Sequence, residues 1–445
     1  MIVCPHHDRT PKGKLCPHLP VPQEGYLQRF TGVGSEYDLL CRQCAKQADA
    51  VEATLIAACS ECFQRAEEES YWDGGILGRP QVRIGRQQLC FVHETFELPE
   101  LKGSTFLNIQ PIEGTPGSSL GCTLSGALIE IDAIRRCART VAQVPADALE
   151  FDGPYIRTAS KDWQNGPPVV LRVSSRGELA ALANTYGQQG AVLDLCAGRI
   201  TMNLRRDEHH EDVSVFPLAL AEFDDRLLVI HGTAWNRLDV SDTRTGVLLT
   251  QRQPTSWKQG EPRPPHDLDY FHSDLSISPD HQFIADNGWQ WHPIGVITAW
   301  NLRRWIEENP WESEDGPTKK DLCWRSYYWD GPLSWIDDRR LCLWGYGQDD
   351  PLIPAALIFD VHTGKLEKWF PGPKGSFVFD DYLFSFDKTE GMTVWDISTG
   401  ERLAAEPGFC PDGYHRRGKH FLTMKEDGMV QVSRITNAAA ITKGS

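Results

Sequence analysis

Cysteine and histidine come in close couples over the first ninety or so residues: Cys4 and His7, Cys16 and His18, Cys41 and Cys44, Cys59 and Cys62, Cys90 and His93. Seven of the 13 cysteines fall in this stretch and the others are scattered singly, so the clustering marks a domain. Two donors joined by a short loop can turn toward one ion about 2.0–2.3 Å away, and two such couples complete the tetrahedron that zinc accepts. A disulfide framework would need an oxidising compartment and leaves the interleaved histidines unexplained. A dithiol redox motif would be a single reactive pair at a strand-to-helix junction in an alternating pattern. Structural zinc, two ions held among these ten side chains, is therefore the expected chemistry.

Elements must aim these couples. The stretch 26–44, YLQRFTGVGSEYDLLCRQC, reads as a strand, a glycine turn and a second strand that ends at a Cys-x-x-Cys pair. Apolar residues at helical spacing then predict a helix over 45–58, with Cys41 and Cys44 at its start. This arrangement resembles the treble-clef zinc finger, in which a knuckle, a hairpin and a helix N-terminus converge on one ion. The segment 78–93, GRPQVRIGRQQLCFVH, resembles the hairpin of a zinc ribbon and would deliver Cys90 and His93 to Cys59 and Cys62. The expected pairing thus sets Cys41 and Cys44 with one of the two N-terminal couples, and Cys59 and Cys62 with Cys90 and His93. An alternative is a cross-brace. The order Cys4, His7, Cys16, His18 is similar to the opening of a B-box, and joining first with third and second with fourth couples gives a RING-like order. The 22 residues between His18 and Cys41 depart from that pattern.

The chain carries a formal charge of -16, and residues 1–100 hold 10 Lys or Arg against 14 Asp or Glu. Phosphate backbones are repelled by such a balance, so nucleic acid is disfavoured as the main partner. No apolar run approaches a membrane span, and the first residues lack the apolar core of a secretion signal. A cytoplasmic protein without a membrane partner is expected.

From about residue 105 the pattern changes to short apolar runs with closely spaced turns, an all-β signature. The segments 237–249, 357–369 and 393–405 share an apolar run, an Asp and a Gly four residues later, with weaker copies at 127–136, 169–180, 296–305 and 428–436. Asp360 and Asp396 lie 36 residues apart. Before most copies stands a strand, an Asp-containing turn and a strand, as at 218–232, 275–289, 333–345 and 377–387. Fixed-period self-similarity of this kind is the mark of a repeat architecture, and the pattern resembles the WD-repeat β-propeller family over roughly 330 residues. Trp395-Asp396 is the literal dipeptide at the repeat position, whereas the Gly-His element of that family is missing. The fold class is mainly β: a small α+β zinc-binding domain over 1–100, then a propeller over 101–440. Seven blades are expected, or eight if 191–204 forms its own, with insertions at 250–274 and 301–331.

Few residues point to catalysis. The Gly-x-Ser-x-Gly match at 117–121 leads into a strand instead of the helix that a nucleophile elbow needs. His266, Asp267, Asp269, His272 and Asp274 are metal-ligand types but read as solvated loop residues, and His209 and His210 as part of an exposed loop. Trp289 and Trp291 form an aromatic pair of the kind that packs blades or makes a platform. The function expected is a non-enzymatic scaffold or adaptor that binds another protein. The rivals are an enzyme with its site at the propeller's central opening and a RING- or B-box-like zinc adaptor.

Overall fold

The structure is a computed structural model that describes residues 4–5, 7, 9–20, 25–47, 54–86, 89–145, 148–149, 168–253, 260 and 262–437. The N-terminal module is a five-stranded sheet built from β1 (Gly13–Leu15), β2 (Gly25–Phe30), β3 (Tyr37–Cys41), β4 (Ile56–Ala58) and β5 (Tyr71–Leu77), in the order β4-β1-β3-β2-β5. The hairpin expected from the sequence is β2–β3, registered Phe30 to Tyr37 and Tyr26 to Cys41. Its helix is shorter than expected. Helix α1 covers only Arg42–Ala45, and Ile56–Ala58, placed in a helix by their spacing, pair antiparallel with β1 instead. Residues 48–53 of that expected helix lie outside the described residues. A ten-residue helix, α2 (Ser60–Glu69), starts at the next cysteine couple and buries Cys62, Phe63 and Ala66 against the sheet. At 56–58 helical spacing therefore lost to strand pairing, the usual way in which tertiary contacts override local preference.

Seven four-position blades follow, and the first strands of neighbouring blades touch around the centre. The first holds Phe106–Pro111, Ser118–Thr123, Ala127–Asp132 and Cys137–Gln143; the second holds Val169–Val173, Leu179–Asn184, Gln189–Asp194 and Arg199–Arg205. The stretch 191–204 therefore belongs to the second blade, which settles the count at seven. It also moves that blade's Asp turn from 169–180 to Asp194. The third blade has three named strands between Leu218 and Asp242, with Leu248 bridged to Ser241 at its edge. Blades four and five span 275–326 and 333–371.

Closure explains what became of Cys90 and His93. Residues 78–93 form no zinc-ribbon hairpin. Instead β6 (Arg83–Ile84) lies parallel to Glu401 and Arg402 on the outer edge of the sixth blade, and β7 (Leu89–Glu97) pairs along its whole length with Met429–Asn437 of the seventh. The N-terminal segment thus supplies the outer strand of the last blade, and the propeller begins well before residue 101. A ring closed by strands from both chain ends leaves no open edge there.

The repeated Asp works as expected. Asp360 Oδ1 accepts from the backbone N–H of His362 and Thr363 at 2.9 and 3.0 Å, Asp396 Oδ1 from Ser398 at 2.7 Å, and Asp194 Oδ1 from Cys196 and Ala197 at 2.9 and 2.8 Å. Gly364 and Gly400 then take φ of 70° and 74°, a region that costs an L side chain strain. Burial pushes the Asp360 carboxyl up, but Arg339 and the turn N–H groups outweigh it and leave it below the ordinary carboxylate value. Trp395 is buried between blades five and six, with its indole N–H 3.0 Å from Ser385 Oγ.

Both insertions are ordered where described and locked together. Arg252, from the first, sits between Asp239 and Glu314 at 2.9 and 2.5 Å with its side chain almost wholly buried; Glu314 lies on a short helix (Glu312–Asp315) of the second. The second insertion also opens on a short helix, Leu302–Glu307. Among the described residues no helix is long and apolar enough to cross a membrane.

The module is seated on the ring. Phe30 leaves its own sheet to enter the core between blades four and five, edge-on to Trp369 and Tyr346 at 5.5 and 6.1 Å. Tyr346 donates its hydroxyl to Gln28 Oε1 at 2.5 Å and packs on Trp72 at 5.7 Å.

Candidate metal centres

Two four-residue groups of Cys and His converge in the module: Cys4, His7, Cys59 and Cys62, and Cys16, His18, Cys41 and Cys44. Among the described residues these are the only places where three or more metal-ligating side chains meet closely enough to share an ion. Local structure explains the aim. Each Cys-x-x-Cys pair starts a helix, with Cys41 and Cys59 as the N-caps of α1 and α2. The N-terminal couples lie in the turns at the two ends of β1. That strand pairs with β3 on one side and β4 on the other, so each turn faces a different helix start.

The couples are nested, outermost with outermost and inner with inner. Cys41 and Cys44 meet Cys16 and His18, one of the two partners expected. Cys59 and Cys62 meet Cys4 and His7 in place of Cys90 and His93. The cross-brace is likewise not the arrangement. Cys90 Sγ points to the Thr436 carbonyl at 3.7 Å, and His93 bridges Ser433 and Glu406 at 2.8 and 2.9 Å, both as outer-strand contacts of the propeller.

Do the donor atoms fit zinc? With Zn–S of about 2.3 Å and Zn–N of about 2.0–2.1 Å, a tetrahedron places two sulfurs about 3.8 Å apart and a sulfur and a nitrogen about 3.6 Å apart. Cys4 and Cys62 sulfurs are 3.8 Å apart, and His7 Nδ1 lies 3.4 and 3.3 Å from Cys59 and Cys62. In the second group His18 Nδ1 lies 3.7 and 3.2 Å from Cys41 and Cys44. All four donor atoms of each group fall within 4.8 Å of one another. Three thiols and an imidazole at these separations suit one zinc ion per group.

Electrostatics agrees with the geometry. Burial, then hydrogen bonds among the sulfurs, pushes the Cys44 thiol up to about 12 and Cys62 up to about 11. Cys44 and Cys62 are thus poor thiolates unless a cation stands beside them. The backbone N–H of Cys41 reaches Cys16 Sγ at 3.2 Å, and that of Cys44 reaches Cys41 Sγ at 3.5 Å, the N–H···S contacts that stabilise bound thiolates.

The propeller's opening carries a second concentration of polar groups. Ser273 Oγ donates to Asp330 Oδ1 at 2.5 Å, and Arg172 of the second blade reaches Asp274 before the fourth at 2.7 Å. Asp330 Oδ2 is sealed from water without a donor, and burial pushes this carboxyl up to about 8. Ser273 Oγ also lies 3.5 Å from the Val215 carbonyl.

The loop residues assessed from sequence fall into two sets. His266 stacks on Trp311 at 4.4 Å and bonds Asp315, while His272 is buried against Asp286 at 2.5 Å, so these residues gather no ion. His209 and His210 lie in the expected loop, His209 exposed and His210 half-buried, and their rings contact Trp235, Phe271 and Trp291. Their aromatic partners lie 26 to 81 positions away, Trp235 from His209 and Trp291 from His210, so no local pattern announces the packing. Comparison with known proteins finds no family model that matches this chain and no curated protein similar to it.

Proposed function

We propose that this chain is a non-enzymatic scaffold, in which a module folded around two structural zinc ions is fixed to a seven-bladed propeller that binds another protein. Zinc replaces a core that fewer than eighty residues cannot easily build, and supplies rigidity in place of reactivity. The observation that carries the reading is the saturated donor set: three thiols and one imidazole per ion leave no open position for a substrate or an activated water. The extended propeller faces then remain as the surface a partner could use, a step that rests on the architecture alone.

A second reading, an enzyme acting at the central opening, draws on Asp330. It supplies a carboxyl that holds its proton near neutral pH, as a general acid would. Asp330 is already engaged by Ser273 and the Asp274 backbone, and the nearest freer carboxylate is neutralised by Arg172. Scaffolding is therefore preferred.

The test is purification of the tagged full chain from its own source, with gel filtration and zinc determination on the same fractions. Scaffolding predicts about two zinc per chain and a partner protein that stays at constant stoichiometry across the peak. A chain that elutes alone under gentle conditions contradicts it.

A further inference from the structure

In a propeller the turns between second and third strands and the links between blades emerge on one face. Three such segments meet over blades two to four: the link 206–217, the hairpin turn at 235–236 and the turn at 291–293, together with residues 263–271 of the first insertion. They enclose a cavity of about 690 Å³, within the usual range for ligand sites.

Its floor is Phe271, buried and stacked on Trp289 at 3.9 Å with ring planes 4° apart. Its walls are Trp235, His209, His210 and Trp291, whose rings lie 4.4 to 6.4 Å from Phe271. Trp291 is 54 % exposed, an uncommon state for tryptophan. The enclosure is preorganised. Buried Arg206 ties its loop to the carbonyls of Gly187, Glu211 and Ser214 at 2.7 to 2.8 Å, while Trp289 and Trp329 donate their indole N–H to Ser214 and Val213 at 2.8 Å. Asn236 holds the opposite wall to Leu268 at 3.0 Å.

Charge selects the ligand. Both arginines that line the cavity have carboxylate partners, Arg237 with Asp239 at 3.0 Å and Arg263 with Asp267 at 3.7 Å. Asp207 and Asp269 also line it, and Asp269 is exposed. A carboxylate is acceptor-only, so it takes a donor or a cation. Indole and phenyl faces attract cations. An alkylammonium is cationic, carries N–H and tolerates aromatic walls, and the chain's net charge of -16 favours basic partners.

We propose that this cavity receives the ammonium end of a lysine side chain, bare or partly methylated, presented by a protein partner. This rests on the reading of the propeller as a platform for another protein, and names the chemistry of that partner.

The test is calorimetric titration of the full-length protein with a glycine–serine peptide carrying one central lysine, its ε-dimethyl form, or norleucine. The lysine and dimethyl-lysine peptides are expected to bind at least about tenfold more tightly than norleucine, with Asp269→Asn and Trp291→Ala each removing most of that difference. Trp291 and Asp269 are both exposed, so both variants should keep the wild-type circular dichroism; Trp235→Phe, which retains a ring, should bind and shows that the wall matters as an aromatic face. Equal binding of norleucine, or no binding by any peptide, overturns the proposal. Free butylammonium bound as tightly as the peptide assigns the cavity to small amines and overturns the protein source. A native partner that remains bound to Trp291→Ala sinks the cavity's role and spares the platform; a cavity that binds the peptides in a chain without any partner does the reverse.

Discussion

The cysteine-rich module and the propeller bury their interiors by opposite means. Below residue 78 six of the fourteen residues in the buried cluster are cysteines: Cys4, Cys16, Cys41, Cys44, Cys59 and Cys62 sit among Leu15, Tyr26, Leu39, Leu40 and Phe63. In the propeller the interior between blades is carbon, as in the set Leu120, Leu128, Leu171, Leu182, Ala191 and Leu193 between the first two. Burial of apolar area contributes roughly 25 cal/mol per Å², so the large ring gains enough from packing alone. A small module does not, and metal–ligand bonds take over. One part should thus respond to chelators and the other to core truncation.

The sharpest way to break this contrast is to replace Cys59 and Cys62 together by serine. We expect one zinc to be lost and the module's unfolding transition with it, since apparent zinc binding to such sites is worth about 10–16 kcal/mol at neutral pH. The propeller's transition should stay within a few degrees. Scanning calorimetry beside metal analysis checks this, and a single concerted loss of both transitions would show that the regions are not separable.

Next in size is Phe30→Ala, which empties the socket formed by Tyr346 and Trp369. Removing a buried Phe costs about 3–5 kcal/mol. The expected result is earlier unfolding in urea with zinc content intact, because Phe30 lies outside both ligand sets. Loss of zinc in this variant would mean that the ring holds the module's metal sites together.

Asp330 offers a smaller, pH-dependent effect. Its carboxyl is raised from 3.8 in the unfolded chain to about 8 in the folded one. The folded state therefore binds more protons, and its contribution is fully present below the unfolded value and is lost as pH climbs toward 8, by at most about 1.4 kcal/mol per pH unit. Asp330→Asn mimics the protonated form and should flatten the stability profile over that window, measured by urea titration at several pH values. An unchanged slope would show that another group sets it.

The smallest expected effect is the most discriminating. Cys90→Ser with His93→Ala should leave zinc content unchanged and only soften the last blade, where His93 links Glu406 to Ser433.

That last pair shows where sequence reading stops. Cys90 and His93 have the same spacing as true ligand couples, and nothing local separates them from Cys4 and His7. Their fate depends on Ser433, 340 positions away. The nested pairing of the other four couples likewise depends on β1 lying between β3 and β4, a sheet order that no single segment encodes. By contrast, the hairpin before Cys41 and the Asp turns at 242, 360 and 396 were legible because each is closed by hydrogen bonds within a few residues. The aromatic cavity is illegible for the first reason: Trp235, Phe271 and Trp291 meet only once blades three and four and the link between them are in place.

Native mass spectrometry of the full chain tests the central claim most directly. The account predicts a mass increment of two zinc ions, falling to one when Cys4 and His7 are replaced and staying at two when Cys90 and His93 are. A metal-free chain with all its thiols open to titration, or a zinc lost with Cys90, would contradict it.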